Sequence, residues 1–279
     1  MMARSLLRTD DFRQISMAEK VAAWILGFLW IMPLLFAFWA AFHSSEYTTS
    51  FDLLAPLTFE HFITAWDQAP FARYMLNTFA ITGIILASQL VLCTLAGFAL
   101  ARMPFRGKGV VMALVMMQLM VMPEVLIVEN YQTLAGLELI DSWTGVGLPY
   151  MASAFGIFLL RQTFATVPQA LDDAARIEGC NLLQVLWKVY VPQAKPVYLA
   201  YALVSISYHW NNFLWPLVVT NTEASRPLTV GMAIFGAPES GVEWPIICAG
   251  TIIAISPLLA AFLIFQKQFV QSFMRAGIK

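Results

Sequence analysis

The chain has 279 residues, 59% of them hydrophobic and 12% charged, against about 25% charged in soluble domains. Mean hydropathy is +0.71 and formal net charge −1. A soluble globular domain of this length needs more polar surface than the chain supplies, and no basic stripe is present to hold nucleic acid; both classes are excluded.

The apolar residues fall in uncharged runs at 21–42, 75–101, 109–123, 142–160, 196–222 and 244–266. A helix needs about 20 mainly apolar residues to cross the hydrocarbon core. The runs therefore predict an all-α, multi-pass membrane protein with six transmembrane helices. Residues 1–20 read as a charged tail and the first run as a retained helix, since it exceeds the 7–15 apolar residues of a secretory signal. An outer loop, 43–72, leads to the second run, which ends in a tight turn at 102–109. The third run is short and reaches spanning length only by continuing past Glu124 through Val128. Residues 124–141 carry Glu124, Glu129, Glu138 and Asp141 and no basic residue. After the fourth run comes the longest connection, 161–196, then an outer loop at 223–243 and a tail at 267–279. The membrane domain is thus 21–266. With the N-terminus inside, every Lys and Arg except Arg73 and Arg226 lies on the inner side, which predicts two cytoplasmic termini. Cys93, Cys180 and Cys248 have neither metal nor redox spacing and read as small buried residues.

The 161–196 connection is neither short nor simply polar. Pro168 can open a helix. Asp172 and Asp173 suit its first turn, where the helix dipole favours negative charge. Asp172 and Arg176 are four apart and share a face. Gly179 can end or bend this helix. Asn181 can cap a second one carrying Leu182, Leu183, Val185, Leu186 and Val189, and Pro192 and Pro196 are expected to stop it. A helix lying on lipid headgroups would show a basic polar face. Here Asp172, Asp173 and Glu178 nearly balance the bases, which favours docking against protein.

Asp173, Ala174, Ala175, Gly179 and Pro192 match the carboxylate-Ala-Ala, Gly and distal Pro pattern of the cytoplasmic loop of ABC importer permeases. The chain resembles that family from the second run onward. Leu148–Gln162, Tyr208–Leu217 and Gln268–Lys279 resemble its carbohydrate-uptake branch, of the maltose and glycerol-3-phosphate kinds. One departure is Asp173, where the family generally has Glu. The resemblance implies a type I importer permease fold in the bacterial inner membrane. It also implies that Asp172, Asp173, Ala174, Ala175, Arg176, Glu178, Gly179, Leu183 and Pro192 couple to an ATPase. The implied partners are a second permease in a heterodimer, two ATP-binding subunits, an extracytoplasmic solute-binding protein and membrane lipid. ATP and Mg would bind the partner ATPase, and no cofactor this chain.

A solute pathway would be drawn from polar groups inside the bundle. Candidates are Asn77, Gln89, Gln118, Tyr208, His209, Asn211 and Asn212; the alternative, which the residue types favour, is that these groups serve as interhelix hydrogen bonds or an interfacial aromatic belt. Lone His209 reads as a satisfied bundle residue rather than a proton carrier. Gly107-Lys108 lacks the rest of a phosphate-binding loop, so hydrolysis belongs to another chain. The alternatives are a membrane-embedded enzyme or an ion-coupled transporter. The first needs a metal or nucleophile cluster, which histidines at 43, 61 and 209 do not form. The second needs ionisable residues at mid-membrane, and only the third run, if extended to Glu124, carries a charge.

Overall fold

A computed structural model describes residues 17–50, 55–233 and 243–277, with side chains described for all of these except 48–50 and 265–277. In order, the helices are α1 (Met17–Ala41), α2 (Ser45–Ser50), α3 (Glu60–Gln68), α4 (Phe71–Arg102), α5 (Lys108–Gln118), α6 (Ile127–Gly136), α7 (Trp143–Gly147) and α8 (Ala154–Ala165). They continue as α9 (Gln169–Ile177), α10 (Leu182–Val185), α11 (Val191–Gln193), α12 (Lys195–Trp210), α13 (Leu214–Val219), α14 (Leu228–Gly231) and α15 (Trp244–Gly277). Among the described residues, the extended backbone pairs only in an isolated antiparallel bridge between His43 and Leu57.

Each apolar run is occupied by helix, but among the described residues only three single helices are long and apolar enough to cross a membrane: α1, α4 and Trp244–Ile264 of α15. The third run does not continue straight through Glu124. After α5 a 3-10 turn, Pro123–Leu126, intervenes, and the second half leaves at 92°. Pro123 has no N–H for the residue four back and holds Met122 extended, at φ −69 and ψ 132, so a straight helix cannot form. The fourth run bends by 50°, and α8 restarts where Ser153 accepts from the Gly156 N–H at 3.2 Å. The fifth run is the 16-residue α12, about 24 Å long at 1.5 Å per residue, followed after a break by α13.

Of the described residues, 17–50, 55–65 and 243–249 group into one compact unit. Within it α1 exposes apolar residues along most of its length, including Trp24 and Trp30. Phe42 meets Phe59 edge-on at 5.4 Å and lies 4.8 Å from Phe62. The His43 ring bonds the Trp39 carbonyl at 2.7 Å, and the His61 ring the His43 carbonyl at 3.1 Å. Both histidines therefore serve the backbone.

Of the described residues, 66–233 and 250–277 form the second unit, in which α4 is the central pillar. Against it lie α8, α12, α7 and α14. Glycine permits the closest approaches. A Cβ at Gly97 would meet the Arg161 nitrogen and Leu160 Cβ at 3.1 Å, and one at Gly156 would come 2.7 Å from the Tyr201 ring and 2.9 Å from Cys93 Sγ. In a bilayer such close packing replaces the hydrophobic drive that water supplies to soluble bundles. Further along α4, Ile81 and Ile85 pack with Leu134, Val146, Trp215 and Val219, and Trp215 donates its indole N–H to the Val146 carbonyl at 3.1 Å.

Gly156→Val is expected to destabilise the detergent-purified chain by about 1–3 kcal/mol through overpacking. Gly83→Ala, where nothing lies within 4 Å, should stabilise α4 by roughly 0.5–1 kcal/mol. Thermal unfolding of the two variants checks the opposite signs.

Candidate functional site

Two features of the second unit carry polar or surface chemistry: the hairpin of α9 and α10, and a cavity beside α12.

The hairpin is built by local signals. Its first helix ends at Gly179, whose φ of +80 is the left-handed conformation that glycine adopts without strain. There the Cys180 N–H reaches the Ala175 carbonyl at 3.0 Å and the Gly179 N–H the Arg176 carbonyl at 3.0 Å, the paired bonds of a Schellman cap. Asn181 then opens α10 with a full capping box: its side chain accepts from the Gln184 N–H at 2.9 Å, and Gln184 accepts from the Asn181 N–H at 2.8 Å. The stop expected at Pro192 and Pro196 falls between them. The backbone widens into a π turn over Leu186–Tyr190, α11 runs to Gln193, and Ala194, at φ −89 and ψ 1, separates it from α12, which holds Pro196 in its first turn. Pro192 cannot donate to a carbonyl four residues back, and the wider turn accommodates the loss. Pro168 flanks α9 rather than entering it.

One face of the hairpin is locked down. Val167, Ala175, Val185, Leu186, Tyr190 and Ala194 share a buried cluster with Phe98 of α4 and Leu160 and Phe164 of α8. Tyr190 meets Phe98 at 5.0 Å and Phe164 at 5.7 Å, both edge-on. Arg102, the last residue of α4, donates to the Val167 carbonyl and, at 3.0 Å, to Gln169; its guanidinium lies 5.1 Å from the Tyr190 ring centroid. Asp172 is 3% exposed and paired with Arg176 at 3.2 Å, the pair expected from their spacing.

The opposite face is open. Asp173, Ala174, Glu178, Gly179 and Pro192 are exposed. With them stand Ile177, 87% exposed, Leu183, 59%, and Trp187, 55%. The named coupling residues therefore divide between two faces, Asp172 and Ala175 belonging to the seat.

The cavity encloses about 410 Å³ and is lined by α4, the α5–α6 bend, the start of α8 and α12. At its floor Gln89 uses its whole amide: it donates to the Tyr150 carbonyl at 2.8 Å and to His209 Nε2 at 3.2 Å, and accepts from Tyr201 at 2.9 Å and Ser205 at 2.6 Å. The carbonyl can only accept, which fixes the amide's orientation, so His209 Nε2 accepts as well and the imidazole is neutral. Of the predicted pathway residues, Gln89, Gln118, Tyr208 and His209 meet here.

The other three do not. Asn77 is fully buried; it donates to the carbonyls of Glu223 and Arg226, at 3.1 and 2.8 Å, and accepts from the Trp143 indole at 3.0 Å. These bonds hold the loop after α13 against α4. Asn211 turns back to the Ser207 carbonyl at 2.8 Å. Asn212 borders a separate void of about 10 Å³. Composition could not separate these roles, because all three are amides in or beside the same apolar runs.

Two structural residues carried no sequence signal of their role. Arg102 is one. Asp141 is the other: a non-glycine residue at φ 58, its carboxylate accepts from the Asn221 and Thr222 N–H groups at 2.8 and 3.0 Å and from the Thr222 and Ser225 hydroxyls. Partial burial opposes its ionisation, but these donors outweigh it and hold the carboxyl well below the usual carboxylate range. With the folded value below the unfolded one, the clamp contributes fully above the ordinary carboxylate range and is lost as pH falls through the depressed value. Among the described residues, no group of three or more His, Cys, Asp or Glu could hold a metal ion.

Comparison with known proteins places this geometry. The profile of the family described as "binding-protein-dependent transport system inner membrane component" matches residues 12–275. The chain belongs to this family. The permease is 30% identical, over 94% of its length and 98% of the other's, to the arabinooligosaccharides transport system permease protein AraQ of Halalkalibacterium halodurans. It is also 30% identical, over 74% of its length and 73% of the other's, to the sn-glycerol-3-phosphate transport system permease protein UgpE of Yersinia enterocolitica. In fold it is similar to a chain in the crystal structure of a bacterial ABC transporter involved in the import of the acidic polysaccharide alginate. That match has a TM-score of 0.80 at 22% identity and covers 90% of this chain and 95% of the other. The permease is thus a multi-pass membrane subunit of an ABC importer, with that class of fold.

Gln89→Leu should destabilise the permease by about 1–3 kcal/mol, because it orphans the buried Tyr201 and Ser205 hydroxyls and the Tyr150 carbonyl. Thermal unfolding in detergent measures this. Gln118→Leu, at an exposed wall position, should stay within about 0.5 kcal/mol.

Proposed function

We propose that this permease moves a carbohydrate or carbohydrate-like solute from the periplasm to the cytoplasm across the bacterial inner membrane. It works as one half of a permease heterodimer with two ATP-binding subunits and a solute-binding protein. ATP and Mg are held by the ATPase partners. Both termini and the α9–α10 hairpin face the cytoplasm, as the placement of the basic residues supports. The solute class is supported by relatives whose names specify arabinooligosaccharide and sn-glycerol-3-phosphate transport.

The observation that carries the coupling role is the two-faced hairpin. Ala175, Val185, Leu186 and Tyr190 anchor it on α4 and α8, and Asp172 is buried, while Asp173, Ile177, Leu183 and Trp187 are exposed. A rigid block of this kind passes a push on its outer face straight to the membrane helices, as rigid-body switching requires. Asp173 keeps the negative charge of the family's usual Glu with one methylene less of reach.

In proteoliposomes holding the complete importer, Asp173→Lys and Gly179→Val should each lower solute taken up per ATP hydrolysed by roughly tenfold, the effect of about 1.4 kcal/mol of lost coupling. Both variants should insert normally. Wild-type uptake in both would contradict the coupling role.

A further inference from the structure

The cavity beside α12 has a specific wall. Its aromatic part is Tyr150 and Tyr208, whose rings meet edge-on at 6.4 Å, with His209 centred 5.0 Å from each. Its polar part includes Gln118, brought there by the bend between α5 and α6, and Ser205 with Gln89 at the floor. None of the lining residues is Lys, Arg, Asp or Glu. His209 adds no charge, since its Nε2 accepts from Gln89. Glu124, on the turn that closes the bend, bears electrostatically on both Tyr150 and Tyr208 with its negative charge.

We infer that this cavity is a solute subsite on this subunit, and that it takes a neutral, hydroxyl-rich sugar ring while rejecting phosphorylated and uronate anions. The inference deepens the importer reading above and rests on it. Aromatic faces suit the C–H faces of a sugar ring. Gln118, Asn130 and the Tyr208 hydroxyl, set around a floor fixed by the Gln89 network, suit its hydroxyls. A phosphate or carboxylate taken from water would need a cation or a cluster of N–H donors to offset its desolvation. This wall offers neither, and Glu124 repels such a group. The volume lies within the range of small-molecule sites, about 300–1,000 Å³, so an oligosaccharide would occupy it a ring or two at a time. The subsite separates this permease in solute chemistry from relatives named for sn-glycerol-3-phosphate.

The test uses the complete importer with its own binding protein in proteoliposomes, fed radiolabelled arabinotriose, maltotriose or sn-glycerol-3-phosphate. At least one saccharide should accumulate and the phosphate should not. Tyr208→Ala and Gln118→Lys should each reduce the saccharide uptake rate by roughly tenfold, the effect of about 1.4 kcal/mol. Leu217→Ala, exposed on α13 away from the cavity, should keep the wild-type rate. Size-exclusion profiles confirm that each variant complex assembles. Wild-type rates in both cavity variants would overturn the subsite and leave the importer reading standing. Uptake of sn-glycerol-3-phosphate in preference to the saccharides would do the same. Accumulation of none of the three would overturn the carbohydrate reading, and the subsite with it.

Discussion

At the Arg102 end of α4 a single guanidinium holds the Val167 carbonyl and Gln169 and covers the Tyr190 ring. Beneath it Phe98, Phe164 and Tyr190 interlock edge to face. Turning the α9–α10 hairpin relative to α4 or α8 would break these contacts and expose Asp172, a buried carboxylate. Interiors packed this tightly shift between discrete arrangements rather than deforming smoothly. The outer face of the hairpin is therefore a handle on two membrane helices at once.

The rest of the second unit follows from how α4 meets its neighbours. Glycines 97 and 156 let α8 and α12 come close, which leaves Gln89 facing Tyr201, Ser205 and His209 across a short gap. The broken third and fourth runs then line the cavity beside α12. Irregular backbone at membrane depth is tolerated where it is buried in protein or lines a cavity, and the α5–α6 bend does the latter. At the other end of α4, Asn77 and Asp141 tie the 221–226 segment in place. Asp141 and Glu138 adopt left-handed backbone despite having side chains, at φ 58 and 57. Such strain persists only where surrounding bonds over-determine it, and the four donors on Asp141 do so.

What was legible in the sequence was local or cumulative. Length of apolar runs predicted the helices, and the Asp172–Arg176 pair, the Gly179 cap and the Asn181 box all depend on residues within five positions of one another. The third run was expected to continue past Glu124; Pro123 breaks it there instead, and the 92° angle depends on packing against distant elements. Gln89, Gln118, Tyr208 and His209 converge, whereas Asn77, chemically akin to Gln89, is consumed by carbonyls some 146 and 149 positions away. No periodicity reports such a distance. Arg102 likewise read only as an inner-side charge, because its partners lie 65 and 67 positions on.

The central claim is that another polypeptide grips the exposed face of the hairpin. A photocrosslinking amino acid at position 177, the most exposed apolar residue on that face, reads this directly in native membranes. The account predicts one dominant adduct whose added mass is that of the ATP-binding subunit, and its loss when that subunit is deleted. Adducts with lipid alone, or with none of the importer's other chains, would contradict it.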